Sequence, residues 1–131
     1  LPALSEKADA SVLTAAEIAA QTSEKDYQIV QEDTHAYSGG STDVGDVQHL
    51  QPVLTFNTGG KVSGLHSVDF DIVDEELAYV VTAKIFALSA YRLLRDRAVK
   101  AKEIVANYQP IFTKEEYIKY MDSFIKTETY S

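Results

Sequence analysis

Residues 77–91, "LAYVVTAKIFALSAY", carry one charge in fifteen positions, that of Lys84. The surrounding stretch 74–94 has strong helical character. Asp74, Glu75 and Glu76 stand where the positive end of the helix dipole favours acids, and Arg92, Arg95 and Arg97 stand near the far end. A helix that is apolar on nearly all sides has no face to give to water. It is therefore expected to be sandwiched inside the fold rather than laid upon it, and truncation within it is expected to abolish folding.

The remaining elements are read around that helix. In "LTAAEIAAQTSEK", Thr14 and Glu17 have capping-box spacing and Leu13 and Ile18 stand as a hydrophobic staple, so a short alanine-rich helix is predicted to start there. Tyr27, Ile29 and Val30 in "DYQIVQED" favour a strand, and "PVLTF" from Pro52 predicts a second, buried one. "RDRAVKAKEIVANYQP" continues or restarts as helix until Pro110, which cannot extend it. Thr113 and Glu116 offer another capping box, and Tyr117, Tyr120, Met121 and Phe124 share one helical face, read as a packing stripe. The order of elements reads as α/β, a small sheet flanked by helices.

The chain has 131 residues and is 45% hydrophobic, enough for one domain with a real core. Its formal charge of -8 opposes a phosphate-neutralising surface, so neither nucleic acid nor an anionic membrane is an expected partner. No apolar run approaches the roughly 20 residues needed to cross a bilayer. Leu1, Pro2 and Ala3 lack the basic start of a signal peptide. The absence of cysteine removes disulfides and thiolate ligands and fits a reducing compartment, so the expected location is cytoplasmic. With no initiator methionine, the chain reads as a processed product or a piece of something longer.

Two loops could carry chemistry. In "SGGSTDVGDVQHL", Gly39 and Gly40 precede Ser41, Thr42 and Asp43, all plausible N-cap residues. A helix starting there would leave backbone N–H groups facing outward for a carboxylate or phosphate, with Ser41 or Thr42 adding a hydroxyl. The plainer reading is an ordinary capped loop. Asp43, Asp46 and His49 could form a local metal cluster, but their spacing does not match a calcium loop, and a solvated helical face is the favoured reading of this trio. The second loop, "GLHS", holds His66. One imidazole cannot hold zinc alone. Its place just past an expected strand is where open α/β sheets gather ligand sites, so the two loops are expected to face one pocket.

Taken together, "SGGSTDVGDV", "PVLTFNTGG" and "GLHSVDFDIVDEELAYVVTAKIFALSAYRLL" resemble the C-terminal part of the zinc-dependent aminoacylase and carboxypeptidase family, which includes aminobenzoyl-glutamate hydrolases and N-acyl-amino-acid amidohydrolases. The resemblance covers residues 38–94. It implies that residues 1–131 are the C-terminal segment of a catalytic α/β sandwich, with the lid domain and the N-terminal half lying elsewhere. It also implies that His66 is a metal ligand and that Gly40, Ser41, Thr42 and Asp43 line the substrate pocket. The family's other zinc ligands and its general-base glutamate have no counterpart here. The complete enzyme would hold two zinc ions and cleave N-acyl amino acids or small peptides, and this chain alone is expected to bind no zinc and to be inactive. Two rivals stand beside this reading: a non-catalytic binding or interaction module, and a small metalloprotein using Asp43, Asp46 and His49. A segment separated from its domain is also expected to expose apolar surface and to self-associate.

Overall fold

A computed structural model describes residues 6–30, 42–64 and 66–129. The chain runs through helices α1 (Glu6–Gln21) and α2 (Val44–Gln48), then strands β1 (Lys61–Val62) and β2 (Asp71–Ile72). A π-helical turn, Glu76–Val81, leads into α3 (Thr82–Asn107), and α4 (Lys114–Asp122) follows. The fold is mostly helical, with one antiparallel two-stranded sheet in which Lys61 faces Ile72 and Val62 faces Asp71.

The core is where α1 meets α3. Ser11, Ala15 and Ala19 recur every fourth residue along α1 and are all but fully buried. Their small side chains let the helix axes approach closely, and Val81 and Ile85 fill the space between them. Burying each of these two branched side chains stabilises the fold by roughly 1.5–3 kcal/mol. Tyr27, Phe56, Leu77 and Leu88 close the rim of this cluster.

Several expectations are corrected here. Helix α1 begins by Glu6, so Thr14 lies inside it, and its hydroxyl donates back to Ala10 O at 2.8 Å. An eight-residue N-terminal extension of favourable helix formers overrode the capping signal. Neither 26–30 nor 52–60 is a strand. A strand is defined by a neighbour that pairs its backbone, and neither segment has one among the described residues. The apolar side chains of the second segment turn to α3 instead. Phe56 meets Phe86 with ring centroids 4.8 Å apart, and Pro52, Val53 and Leu54 line an apolar groove of about 150 Å³ with Leu93 and Ile104.

The apolar helix is not sandwiched. Its Val81, Ile85 and Ser89 side is buried under α1, while Tyr79, Phe86, Tyr91 and Leu94 on the other side are each about 60% exposed. Among the described residues α1 covers one side and the 52–56 segment touches the helix at Phe86 and Leu93, leaving the rest of the circumference facing outward. Counted as one stretch, Glu76–Asn107 has 32 residues and a mean hydropathy of 1.4 in its best window, long and apolar enough to cross a membrane by length and composition alone. This corrects the expectation that no apolar stretch approaches a bilayer's span; Lys84 and Arg92 are the charges between Leu77 and Leu94.

Helix α3 is interrupted. Arg95 has ψ 167°, and Asp96, Arg97 and Ala98 are all left-handed, with φ of 54°, 60° and 60°. Three consecutive side-chain-bearing residues in that region cost on the order of 1–2 kcal/mol each. "RDRAVK" therefore restarts a helix in a new direction, and Tyr108, at ψ 133°, ends it two residues before Pro110. The second capping box forms as read: Thr113 Oγ1 accepts from Glu116 N at 3.2 Å, and Glu116 Oε2 accepts from Thr113 N at 2.8 Å. Of the stripe on α4, Tyr117 reaches the α2 region, where it meets Asp46 and His49. Tyr120 stacks on Phe112 and meets Phe124 edge-on, and Tyr120, Met121 and Phe124 remain exposed.

Candidate functional site

The loop that carries His66 is built by the β1–β2 hairpin. Gly60, at φ 91°, lets the chain enter β1 against the start of the apolar helix, where any Cβ would lie 2.7 Å from Asp74 O. Gly60 O then accepts from Val73 N at 2.9 Å and Asp74 N at 3.1 Å, fixing the exit of the hairpin to its entrance. Asp74 continues the anchor. Its carboxylate accepts from Leu77 N at 3.1 Å, pairs with Lys25 at 3.1 Å and accepts from the Tyr27 hydroxyl at 3.1 Å. The Leu77 N–H above all holds this carboxyl below the usual range, and burial together with the Asp74 and Glu76 carboxylates pushes the Tyr27 phenol well up.

Between the strands, Asp69 ties the loop together. It accepts from Ser63 Oγ at 2.8 Å and from Ser67 Oγ, and these hydroxyls lower its pKa. Ser63 and His66 take left-handed conformations, with φ of 62° and 68°. Ser67 N also donates to Gly64 O at 3.1 Å, and none of these hydrogen bonds uses the imidazole. The His66 side chain is exposed and makes no hydrogen bond or ion pair among the described residues.

The other loop is described only in part. Gly40 and Ser41 lie outside the described residues. Thr42 and Asp43 are exposed. Thr42 Oγ1 accepts weakly from Val44 N at 3.4 Å, and Asp43 stands before α2 with no side-chain cap bond. Helix α2 is five residues long, so its dipole is small. No hydrogen bond, ion pair or ring contact among the described residues links Thr42 or Asp43 to the His66 loop. Among the described residues neither loop is preceded by a strand of the expected kind, so no sheet edge is seen there to bring the two loops to one pocket.

The trio of Asp43, Asp46 and His49 does not gather as a metal cluster; Asp43 and Asp46 are exposed, as a solvated face requires, but His49 is half-buried. Asp46 accepts from Tyr117 OH at 2.5 Å, and His49 Nδ1 lies 2.6 Å from Gly45 O. The half-buried His49 ring packs against both Phe112 and Tyr117, each with its centroid 5.8 Å away, and those two rings meet each other at 6.0 Å, so the three form a triangle. His49 O accepts from Ile111 N and Phe112 N, and Tyr108 OH donates to Gln48 O. These groups clamp α2 to the approach of α4, a structural role that no local spacing revealed. The Asp46 carboxylate, with some burial, pushes the Tyr117 phenol up to about 12.

A zinc site takes three or four protein ligands. Among the described residues, no three His, Asp or Glu side chains gather closely enough to hold a metal ion. Among the described residues His66 is the imidazole left exposed, His49 being half-buried against Phe112 and Tyr117. A separate open cleft of about 480 Å³ lies beside Glu24, Glu75, Glu76 and Lys84. Comparison with known proteins returned no matching family model, curated protein or solved structure.

Proposed function

We propose that this chain is the C-terminal segment of the catalytic α/β sandwich of a metal-dependent hydrolase that cleaves amide bonds in N-acyl amino acids or small peptides. In this reading His66 contributes one zinc ligand to a centre completed by another stretch of polypeptide. Gly40, Ser41, Thr42 and Asp43 line the substrate pocket, where Ser41 and Thr42 with nearby backbone amides orient the substrate's carboxylate. The observation that carries the reading is the state of His66: an exposed imidazole on a loop whose hydrogen bonds are satisfied by Asp69, and so left available to a ligand. The motif resemblance over residues 38–94 supplies the substrate class. A non-catalytic interaction module is the second reading, favoured by the uncovered side of α3.

The test uses the polypeptide that carries this chain together with the rest of the domain. His66→Ala is expected to lower zinc content and abolish amidase activity. Asp69→Ala, which frees the loop but keeps the imidazole, is expected to weaken zinc affinity by roughly 10–100-fold. Unchanged zinc content and activity in His66→Ala would remove the assignment.

A further inference from the structure

The break in α3 has no cause in its own sequence. Sharp kinks in helices come mostly from proline or glycine, and between Leu77 and Gln109 the chain holds neither. "RDRAVKAK" is built mainly of strong helix formers. In a continuous helix Asp96 would stand four residues ahead of Lys100, the favourable order for an acid and a base. Instead Asp96, Arg97 and Ala98 are left-handed, and Arg95, Asp96 and Arg97 are exposed. Among the described residues the ion pair of this run joins its own neighbours Arg95 and Asp96 at 3.6 Å, which ties the run to no other element.

The bend is held from outside. At roughly 1.5 Å per residue, Leu93 and Ile104 would stand about 16 Å apart on a straight helix. Here both line one groove of about 150 Å³, which Pro52, Val53 and Leu54 close, and Ile104 is buried. The chain just past the helix is tied to the same region. Tyr108 OH donates to Gln48 O, and Ile111 N and Phe112 N donate to His49 O at 3.1 and 3.3 Å. The first half of the helix is seated on α1 through Val81 and Ile85. The two halves thus have separate anchors, α1 for one and residues 48–54 for the other, and the exposed residues between them carry the strain. A strained segment joining two separately anchored bodies is the build of a hinge. Gln48 and His49 end α2, which starts beside Thr42 and Asp43, so α2 links that loop to the hinge's second anchor.

We propose that residues 95–98 are a strained hinge that residues 48–54 hold folded, and that loosening this hold lets 76–107 straighten into one helix. The inference does not depend on the hydrolase reading. The full chain has no cysteine of its own, so nitroxide labels at Ala83→Cys and Ala106→Cys can report the distance across the break by double electron–electron resonance. On a straight helix these two positions stand about 34 Å apart. The otherwise unaltered chain is expected to lie well short of that length. Ile104→Ala with Tyr108→Phe removes the groove contact and the bond to Gln48, and it is expected to raise the share of molecules at the straight-helix length at least about tenfold, with the helical circular dichroism kept. Adding Ala98→Gly favours left-handed backbone and weakens the straight helix, so the short distance should return. Tyr108→Phe alone serves should the double variant unfold, and it should raise the same share by a smaller factor. A double variant that keeps the short distance, a straight-helix length already in the unaltered chain, a straight population indifferent to Ala98→Gly, or loss of helical signal in both the double and the single variant would each overturn the inference. None of these results bears on His66, whose role is read from zinc content.

Discussion

The two sides of one helix have opposite fates. Toward α1, Val81, Ile85 and Ser89 are at most 6% exposed, closed off by alanines at every fourth position. On the other side, residues of the same hydrophobic character stand in water. Composition cannot tell the sides apart, because the sequence is apolar on both. What separates them is the presence of a partner with the right spacing of small residues, and among the described residues α1 is that partner.

The sharpest way to break that contrast is truncation on each side. Ile85→Ala removes buried branched atoms beside Ala15 and Ala19, and in urea unfolding it is expected to cost about 2–5 kcal/mol. Tyr91→Ala, on a residue 64% exposed, is expected to stay within about 0.5 kcal/mol in a dilute sample. Equal losses would mean that both sides are covered.

The break at 95–98 limits how far the exposed side runs, and its reality can be read from a sign. With Ala98 at φ 60°, Ala98→Gly relieves left-handed strain and is expected to stabilise by about 0.5–1 kcal/mol. In a continuous helix the same change would destabilise by about 1 kcal/mol.

The two capping motifs give a second internal contrast. Thr113→Ala removes the acceptor for Glu116 N and is expected to cost about 1 kcal/mol, whereas Thr14→Ala, mid-helix, is expected to be neutral or slightly stabilising. The smallest effect concerns the α2–α4 clamp. Tyr117, raised to about 12, favours its protonated form in the folded state, so its contribution to stability is complete below about pH 10 and is lost as pH rises through about 12. In an ultraviolet titration of the eight tyrosines, Tyr117 should ionise late, and Asp46→Asn should bring it back toward the others.

The helices were legible where periodicity and caps agreed, as at Thr113 and Glu116, and the long apolar helix announced itself by the single charge at Lys84. The sheet was not legible. "DYQIVQED" and "PVLTF" have strand composition, but pairing depends on a neighbour, which no local pattern specifies. The observed strands are two residues each, set by Gly60 and Asp74 rather than by apolar alternation. His66 was legible as a loop residue, but its Ser63–Asp69–Ser67 support was not, although an acid flanked by serines near a turn is the signal that points to it. His49 was misread because its partners, Phe112 and Tyr117, lie more than sixty residues away.

The central claim is that the apolar helix has one covered side and one open side, and the absence of cysteine permits a direct test. Single cysteines placed at Ala83, Ala87, Ile85 and Ser89 would be timed for reaction with a thiol reagent at concentrations below self-association. The account requires fast, near-unhindered labelling at 83 and 87 and strong protection at 85 and 89. Equal protection at all four positions, or equal reactivity at all four, would contradict it.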